Sequence, residues 1–169
     1  QYRHCNVRSG DHVYRPHCAR CSACIASRVR VKEFEPGRTQ KRISRRNADL
    51  RVEQTDSILD DEAYSLYRYY IESRHADGDM YPPERDQYES FLNDGLGCAI
   101  YYRLYQGNKL VAVTVADKML DGLAAIYSFF DPDQPQRSLG TEAILLQIRE
   151  TKAMDLPFVY LGYWIAGCQ

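Results

Sequence analysis

Three apolar segments joined by tight turns constrain this chain more than any other feature. CAIYYRLY (98–105) runs into Gly107-Asn108, KLVAVTVAD (109–117) into Asp121-Gly122, and LAAIYSFF (123–130) into a loop. Short turns of this composition join antiparallel neighbours, so three adjacent strands are expected. The loop DPDQPQRSLG leads to a helix expected over Thr141–Met154, with Ile144, Leu145, Ile148 and Met154 on its apolar face. PFVYLGYWI (157–165) then reads as a final strand, apolar enough to be buried on both faces. A strand–helix–strand crossover within one sheet favours parallel pairing, so the strands at 123–130 and 158–165 should run parallel.

Upstream, Asp49–Gln54 reads as a short strand. Asp60–His75 reads as a helix with Asp60, Asp61 and Glu62 at the positive end of its dipole. After ADGDMYPP, Pro83–Asn93 reads as a second helix, closed by Gly95 and Gly97. The order from residue 49 is β-α-α-β-β-β-α-β. It resembles the acyltransferase fold of the GNAT superfamily up to its fifth strand, an α+β core with a mixed sheet and helices on both faces. That resemblance implies that the fourth and fifth strands splay apart. The acyl donor would lie in the gap, its phosphate end at the turn opening the next helix, where free N–H groups and a partial positive charge suit an anion. Here the turn is Arg137-Ser138-Leu139-Gly140. Coenzyme A enzymes of the superfamily carry R/Q-x-x-G-x-G/A at this place. Arg137 and Gly140 fit, but Glu142 sets a carboxylate where a small residue should admit a pyrophosphate, so a donor other than acetyl-CoA is expected.

Charge separates the two ends of the chain. Residues 1–51 hold 13 Lys/Arg against 4 Asp/Glu, whereas 52–169 hold 9 against 19, on a chain with formal net charge −1. A basic end on a near-neutral protein points to an anionic partner, most often nucleic acid. Within that end, Ile25–Phe34 alternates as a half-buried strand, His12–Arg15 is a shorter strand, and Pro36-Gly37 breaks the pattern. Thr39–Asn47 reads as a short helix with Thr39 as N-cap. Lys41, Arg42, Arg45 and Arg46 cover its surface, and Ile43 is its single large apolar residue. Two domains are expected, a basic cysteine-bearing module over 1–48 and a transferase-like domain over 49–169, the whole reading as a piece of a longer protein. No apolar run approaches the ~20 residues needed to cross a bilayer. The first residues lack the apolar stretch of a signal peptide. A cytoplasmic protein without a membrane partner is therefore expected, in which cysteines are reduced or metal-bound.

A more specific resemblance is carried by VRSGDHVYRPHC, HCARCSACIASRV, QKRISRRN, YSLYRYYIESRH, YSFFDP, RSLG and FVYLGYWIAGC. Together, and in this order, they resemble the aminoacyl-tRNA–protein transferases of the N-degron pathway. These are the eukaryotic arginyltransferases and the bacterial aspartate/glutamate leucyltransferases, and the cysteine spacing is similar to the bacterial branch. The resemblance implies transfer of an amino acid, leucine preferred over arginine, from its tRNA ester to the α-amine of proteins beginning with Asp or Glu, marking them for degradation. The partners would be aminoacyl-tRNA and those proteins. The competing expectations are an acetyl-CoA-dependent N-acetyltransferase and a non-enzymatic metal- or nucleic-acid-binding module.

Aminolysis of an ester needs a neutral amine, support for the oxyanion and a proton for the leaving ribose oxygen; it requires no cofactor and no covalent intermediate. Asp131, just after the fourth GNAT-type strand, is the candidate to orient or deprotonate the amine, though Asp131-Pro132 is also a good turn starter. Tyr127 and Tyr163 are candidate donors to the ester oxygen, though a tyrosine in a sheet is more often core packing. An acidic acceptor side chain needs a cation, and arginine serves it in bidentate fashion. Arg15, Arg74 and His75 are the candidates. Lys41, Arg42, Arg45 and Arg46 are expected on tRNA phosphates, with Arg137, Ser138, Leu139 and Gly140 at the donor's terminal ribose-phosphate. Cys18, Cys21 and Cys24 form C-x2-C-x2-C, a spacing at which thiolates hold zinc or an iron–sulfur cluster once a fourth ligand is supplied.

Overall fold

The structure, a computed structural model, describes residues 7–9, 12–14, 23–93 and 96–166. Strands β1 (Val7–Ser9) and β2 (His12–Tyr14) pair as a small antiparallel ribbon. The rest is one six-stranded sheet formed by β3 (Cys24–Arg30), β4 (Arg51–Thr55), β5 (Ala99–Gln106), β6 (Lys109–Lys118), β7 (Gly122–Phe130) and β8 (Phe158–Ile165). Its spatial order is β3-β8-β7-β6-β5-β4, and every pair is antiparallel except β7 with β8. The helices are α1 (Arg38–Arg46), α2 (Asp61–Arg74), α3 (Arg85–Leu92) and α4 (Leu139–Ala153). The expected order from residue 49 and the parallel β7–β8 pair are both present, in the α+β, GNAT-like arrangement.

Alternation along the strands divides the core into two layers. Tyr101, Val113, Val115 and Phe129 face α2 and α3, where Tyr67, Ile71, Tyr88 and Leu92 are buried against them. Tyr102, Leu104, Ala112, Ala116 and Leu123 face the other way, onto Leu139 and Leu146 of α4. A polar trio, with Gln147 and Thr114 buried and Ser128 half-buried, ties α4 to that layer. Gln147 Nε2 donates to Thr114 Oγ1 at 2.6 Å, and Thr114 shares a 2.7 Å bond with Ser128 Oγ. α2 is seated by its N-cap Asp60, which accepts from Ala63 N at 3.0 Å and pairs with Arg103 of β5.

Some boundaries differ from the sequence pattern for local reasons. The strand expected over 25–34 stops at Arg30, because Val31–Glu33 turns into a 3₁₀ helix that buries Val31 against Ile148 and Val159. α1 is capped by Gly37, whose N–H donates to the Gln40 side chain at 2.8 Å, and not by Thr39. β8 is buried on both faces only in its first half: Val159 and Tyr160 are buried, whereas Leu161 and Trp164 are exposed. β3 and α1, which precede residue 49, are built onto the same sheet through β8 and α4.

β7 and β8 share only three rungs, Gly122↔Phe158, Leu123↔Val159 and Ala124↔Tyr160. Both strands then bulge. The β6–β7 register passes from Val115↔Tyr127 to Ala116↔Ala125 and leaves Ile126 unopposed. The β3–β8 register passes from Ser27↔Gly162 to Arg28↔Tyr160 and leaves Leu161 unopposed, with Gly162 at φ +85°. Bulges bend a strand and increase its twist, so two of them just past the last rung drive the strands apart. Beyond Ala124, β7 is half-buried from Ala125 to Ser128 although it lies mid-sheet. The expected splay is thus present. At the closed end, a Cβ on Gly122 would lie 2.2 Å from the Phe158 carbonyl oxygen. Gly122→Ala should therefore cost about 2 kcal/mol or more, as overpacking against backbone does. The melting temperature should fall by roughly 4–8 °C for a chain of this size, which calorimetry would read.

Candidate functional site

At the open end of the splay, α4 begins. Its N-cap Ser138 sits in the left-handed region (φ 52°, ψ 49°), a conformation costing a non-glycine residue about 1–2 kcal/mol. A cavity of about 350 Å³ opens in front of this turn, lined by Arg74, Phe130, Asp131, Gln134, Ser138 and Gly140 among others. It collects residues from three separate sequence expectations: Arg74 from the acceptor set, Asp131 from the catalytic set, and Ser138, Leu139 and Gly140 from the donor turn. The guanidinium carbon of Arg74 stands 5.8 Å from the centre of the Phe130 ring, and the Arg74 side chain is exposed. Gly140 admits that same ring: a Cβ there would lie 3.0 Å from it.

Asp131 is 2% exposed. It accepts from Lys109 Nζ at 2.7 Å, Gln134 Nε2 at 3.1 Å and Asp133 N at 3.0 Å. Burial pushes its carboxyl up, but the Lys109 ammonium and the other two donors outweigh burial and hold it below the ordinary carboxylate value. Such a group stays ionised and is a weak base; its geometry suits orientation of a cationic or N–H partner.

Arg137 lies elsewhere than the sequence suggests. Its guanidinium grips Asp49 through two bonds of 2.8 and 2.9 Å and also donates to the Arg46 carbonyl at 3.1 Å. The pairing holds the Asp49 carboxyl below its usual range. Asn47 reinforces the clamp by donating to the carbonyls of Ile43 at 3.0 Å and Arg137 at 2.9 Å. Arg137 therefore fastens the C-terminal end of basic α1 to the turn before α4. Glu142 also differs from the sequence reading. Its carboxylate, 4% exposed, faces α1, accepting from Ser44 Oγ at 3.2 Å and Arg149 Nη2 at 2.7 Å. It does not enter the mouth, so it sets no bar against a pyrophosphate there. No signal in the local pattern marked Asp49, Asn47 or Ser44 as partners, because all three contacts cross about ninety residues.

The remaining candidates separate. On α1, Lys41, Arg42, Arg45 and Arg46 have no carboxylate partner among the described residues, whereas Arg85, Arg103, Arg137 and Arg149 are all paired. Tyr127 points into the aromatic cluster with Tyr67, Phe91 and Phe129 and donates to Met80 Sδ at 3.4 Å. Burial pushes its hydroxyl well above the ordinary tyrosine value. Tyr163, opposite Ala26, lies past the last β7–β8 rung and flanks the gap. His75 turns from the mouth to Tyr70, with Nε2 3.1 Å from the hydroxyl. Arg15, Cys18 and Cys21 lie outside the described residues, and Cys24 opens β3. Among the described residues no cluster of three metal-ligating side chains occurs, and no helix is long and apolar enough to cross a membrane.

Comparison with known proteins bears on this geometry. Residues 2–42 match the family model described as arginine-tRNA-protein transferase, N terminus, and residues 62–169 match its C-terminal counterpart. Over 162 residues the chain is 52% identical to the aspartate/glutamate leucyltransferase of Pseudomonas aeruginosa (strain LESB58), covering 96% of this chain and 69% of that protein. It is 49% identical, with the same coverage, to the protein of that name from Pseudomonas fluorescens (strain Pf0-1). Among solved structures, it resembles in fold the C-terminal DUF2156 domain assigned to a lysylphosphatidylglycerol synthetase of Agrobacterium fabrum. The TM-score is 0.61 at 16% identity, over 83% of this chain and 46% of that one. L-PGS from Bacillus licheniformis gives a TM-score of 0.56 at 15% identity, over 82% and 46%.

The Asp131–Lys109 pair makes a pH prediction. A carboxyl lowered by folding adds stability above its unfolded pKa and loses it as pH falls through the lower folded value. Asp131→Asn should cost about 1 kcal/mol at neutral pH, Lys109 being largely solvated. The gap between variant and parent should close below about pH 4. Urea unfolding at a series of pH values would measure both.

Proposed function

Because this chain belongs to the arginine-tRNA-protein transferase family, we propose that it moves leucine from leucyl-tRNA to the N-terminal amine of proteins beginning with Asp or Glu, which marks them as N-degrons. The observation that carries this reading is the clamp of Arg137 on Asp49, which joins a helix whose cations have no carboxylate partner among the described residues to the mouth of a splayed sheet. The tRNA backbone lies along Lys41, Arg42, Arg45 and Arg46, and its aminoacylated 3′ end enters the mouth at Ser138–Gly140, in the field of the α4 N-terminus.

In the mouth, the exposed Arg74 takes the acidic side chain of the acceptor. Asp131 orients the incoming α-amine. The amine nitrogen attacks the ester carbonyl carbon, the oxyanion collapses, and the bond to the ribose oxygen breaks. That oxygen takes a proton from Tyr163, which flanks the gap and recovers one from the attacking nitrogen, so that the amide and the ribose hydroxyl are both neutral. The transfer itself calls on no cofactor. Leucine is favoured over arginine because the relatives at 49–52% identity carry the name aspartate/glutamate leucyltransferase.

The test is transfer of labelled leucine, arginine or acetyl from leucyl-tRNA, arginyl-tRNA or acetyl-CoA to peptides beginning with Asp, Glu or Ala. Leucyl transfer to the acidic peptides alone is expected; preference for either other donor would overturn the assignment. Arg74→Gln should raise KM for the Asp peptide about tenfold or more and leave KM for leucyl-tRNA in place. If Asp131 assists the amine, Asp131→Asn should lower turnover more than tRNA affinity. Reversing Arg42 and Arg46 to glutamate should weaken tRNA binding and flatten its dependence on salt, because fewer counterions are released.

A further inference from the structure

A second cavity is larger than the mouth. It lies on the α4 side of the sheet, between α1 and α4, and measures about 650 Å³. That is within the range of about 300–1,000 Å³ in which small ligands are bound. Its floor is apolar, built from Val31, Leu50, Leu104, Leu145 and Ile148, with the half-buried ring of Phe34 on its wall. Its rim is cationic: Lys41 and Arg45 from α1, Arg149 and Lys152 from α4. Of these four, only Arg149 is paired with a carboxylate among the described residues, the buried Glu142 at the same wall. Asn47 and Ala48, next to the clamp on Arg137, form the end nearest the mouth.

We propose that this cavity receives one unpaired base from the single-stranded 3′ end of the donor tRNA. The proposal rests on the leucyl-tRNA reading above. An apolar floor with an aromatic ring offers a face for stacking, and lysine and arginine at the rim take the flanking phosphates, which is the chemistry by which proteins hold single-stranded nucleic acid. Glu142 gives the wall a second element of recognition. Each of its oxygens accepts one bond, from Ser44 and from Arg149, and keeps a lone pair for an exocyclic amino group such as that of cytosine or adenine. The cavity adjoins the clamp that ends at the mouth, so a strand whose terminal adenosine is in the mouth meets it with a preceding nucleotide.

The experiment compares two leucyl donors on the whole protein, leucyl-tRNA and 3′-leucyl-adenosine, which lacks every preceding nucleotide. Ala48→Trp, at an exposed rim position, narrows the cavity, and Phe34→Ala removes the ring. Both variants should raise KM for leucyl-tRNA about tenfold, within what stacking of one base is worth, and leave the rate with leucyl-adenosine unchanged. As a direct reading, 2-aminopurine placed next to the terminal adenosine of tRNA should be quenched on binding the parent protein and less so on binding Phe34→Ala. Unchanged KM for leucyl-tRNA in both variants, or unchanged 2-aminopurine emission with the parent, would overturn the base pocket while leaving leucyl transfer standing. A parent protein that transfers from neither donor would overturn the transferase reading itself. Equal losses with both donors would show that the cavity serves folding and not RNA.

Discussion

The parting of β7 from β8 after three rungs is the constraint on which the rest of the molecule depends. One end of the pair is held by the close approach of Gly122 to the Phe158 carbonyl. The other is opened by bulges at Ile126 and Leu161, one on each strand, directly after the last shared rung. Because β8 leaves β7, its far half is paired, among the described residues, to β3 alone, and that draws an amino-terminal strand into the transferase core. Because the crossover helix must return from the open end, the N-terminus of α4 faces the gap. Splay, helix terminus and mouth are consequences of one local irregularity placed twice.

Electrostatics then divides the cations into two groups. One group is bound to carboxylates: Arg103 to Asp60 and Glu62, Arg137 to Asp49, Arg149 to Glu142. They hold elements in place. Those along α1 have no such partner among the described residues, and like charges this close repel one another until an anion lies across them. Asp49 and Glu142 serve both groups, since each fixes α1 to the α4 side of the sheet while leaving its cations outward. A helix whose lone large apolar residue, Ile43, is buried could not stay there on hydrophobic contact alone. The clamp sets the spacing between the cationic face of α1 and the mouth.

Much of this was legible in the chain before folding, because it depends on short-range patterns. Alternation and the turns at Gly107-Asn108 and Asp121-Gly122 specify β5, β6 and β7, while the 3.6-residue period specifies α2, α3 and α4. The crossover between two apolar strands favours a parallel pair. The excess of positive charge before residue 51 needs no structure to be seen, and neither does the order of motifs that marks the family. These are properties of neighbours in sequence, and covalent geometry fixes them.

What only the tertiary structure decided is where long-range partners fall. Arg137 has the sequence signature of a phosphate ligand, yet Asp49, 88 residues away, claims its guanidinium. Glu142 sits at the position that should meet a donor, yet its place on the helix turns it toward Ser44. Asp131 can be read as a base or a turn, and Lys109 across the hairpin makes it a buried, ionised carboxylate. Tyr127 and Tyr163 are alike in the sequence, but the splay leaves one in the aromatic core and the other beside the gap. The sequence by itself determined the order of elements and the sign of the charge. Which charged groups are bound and which remain open to a ligand was decided by packing, because a side chain's partner is set by distances that no local pattern encodes.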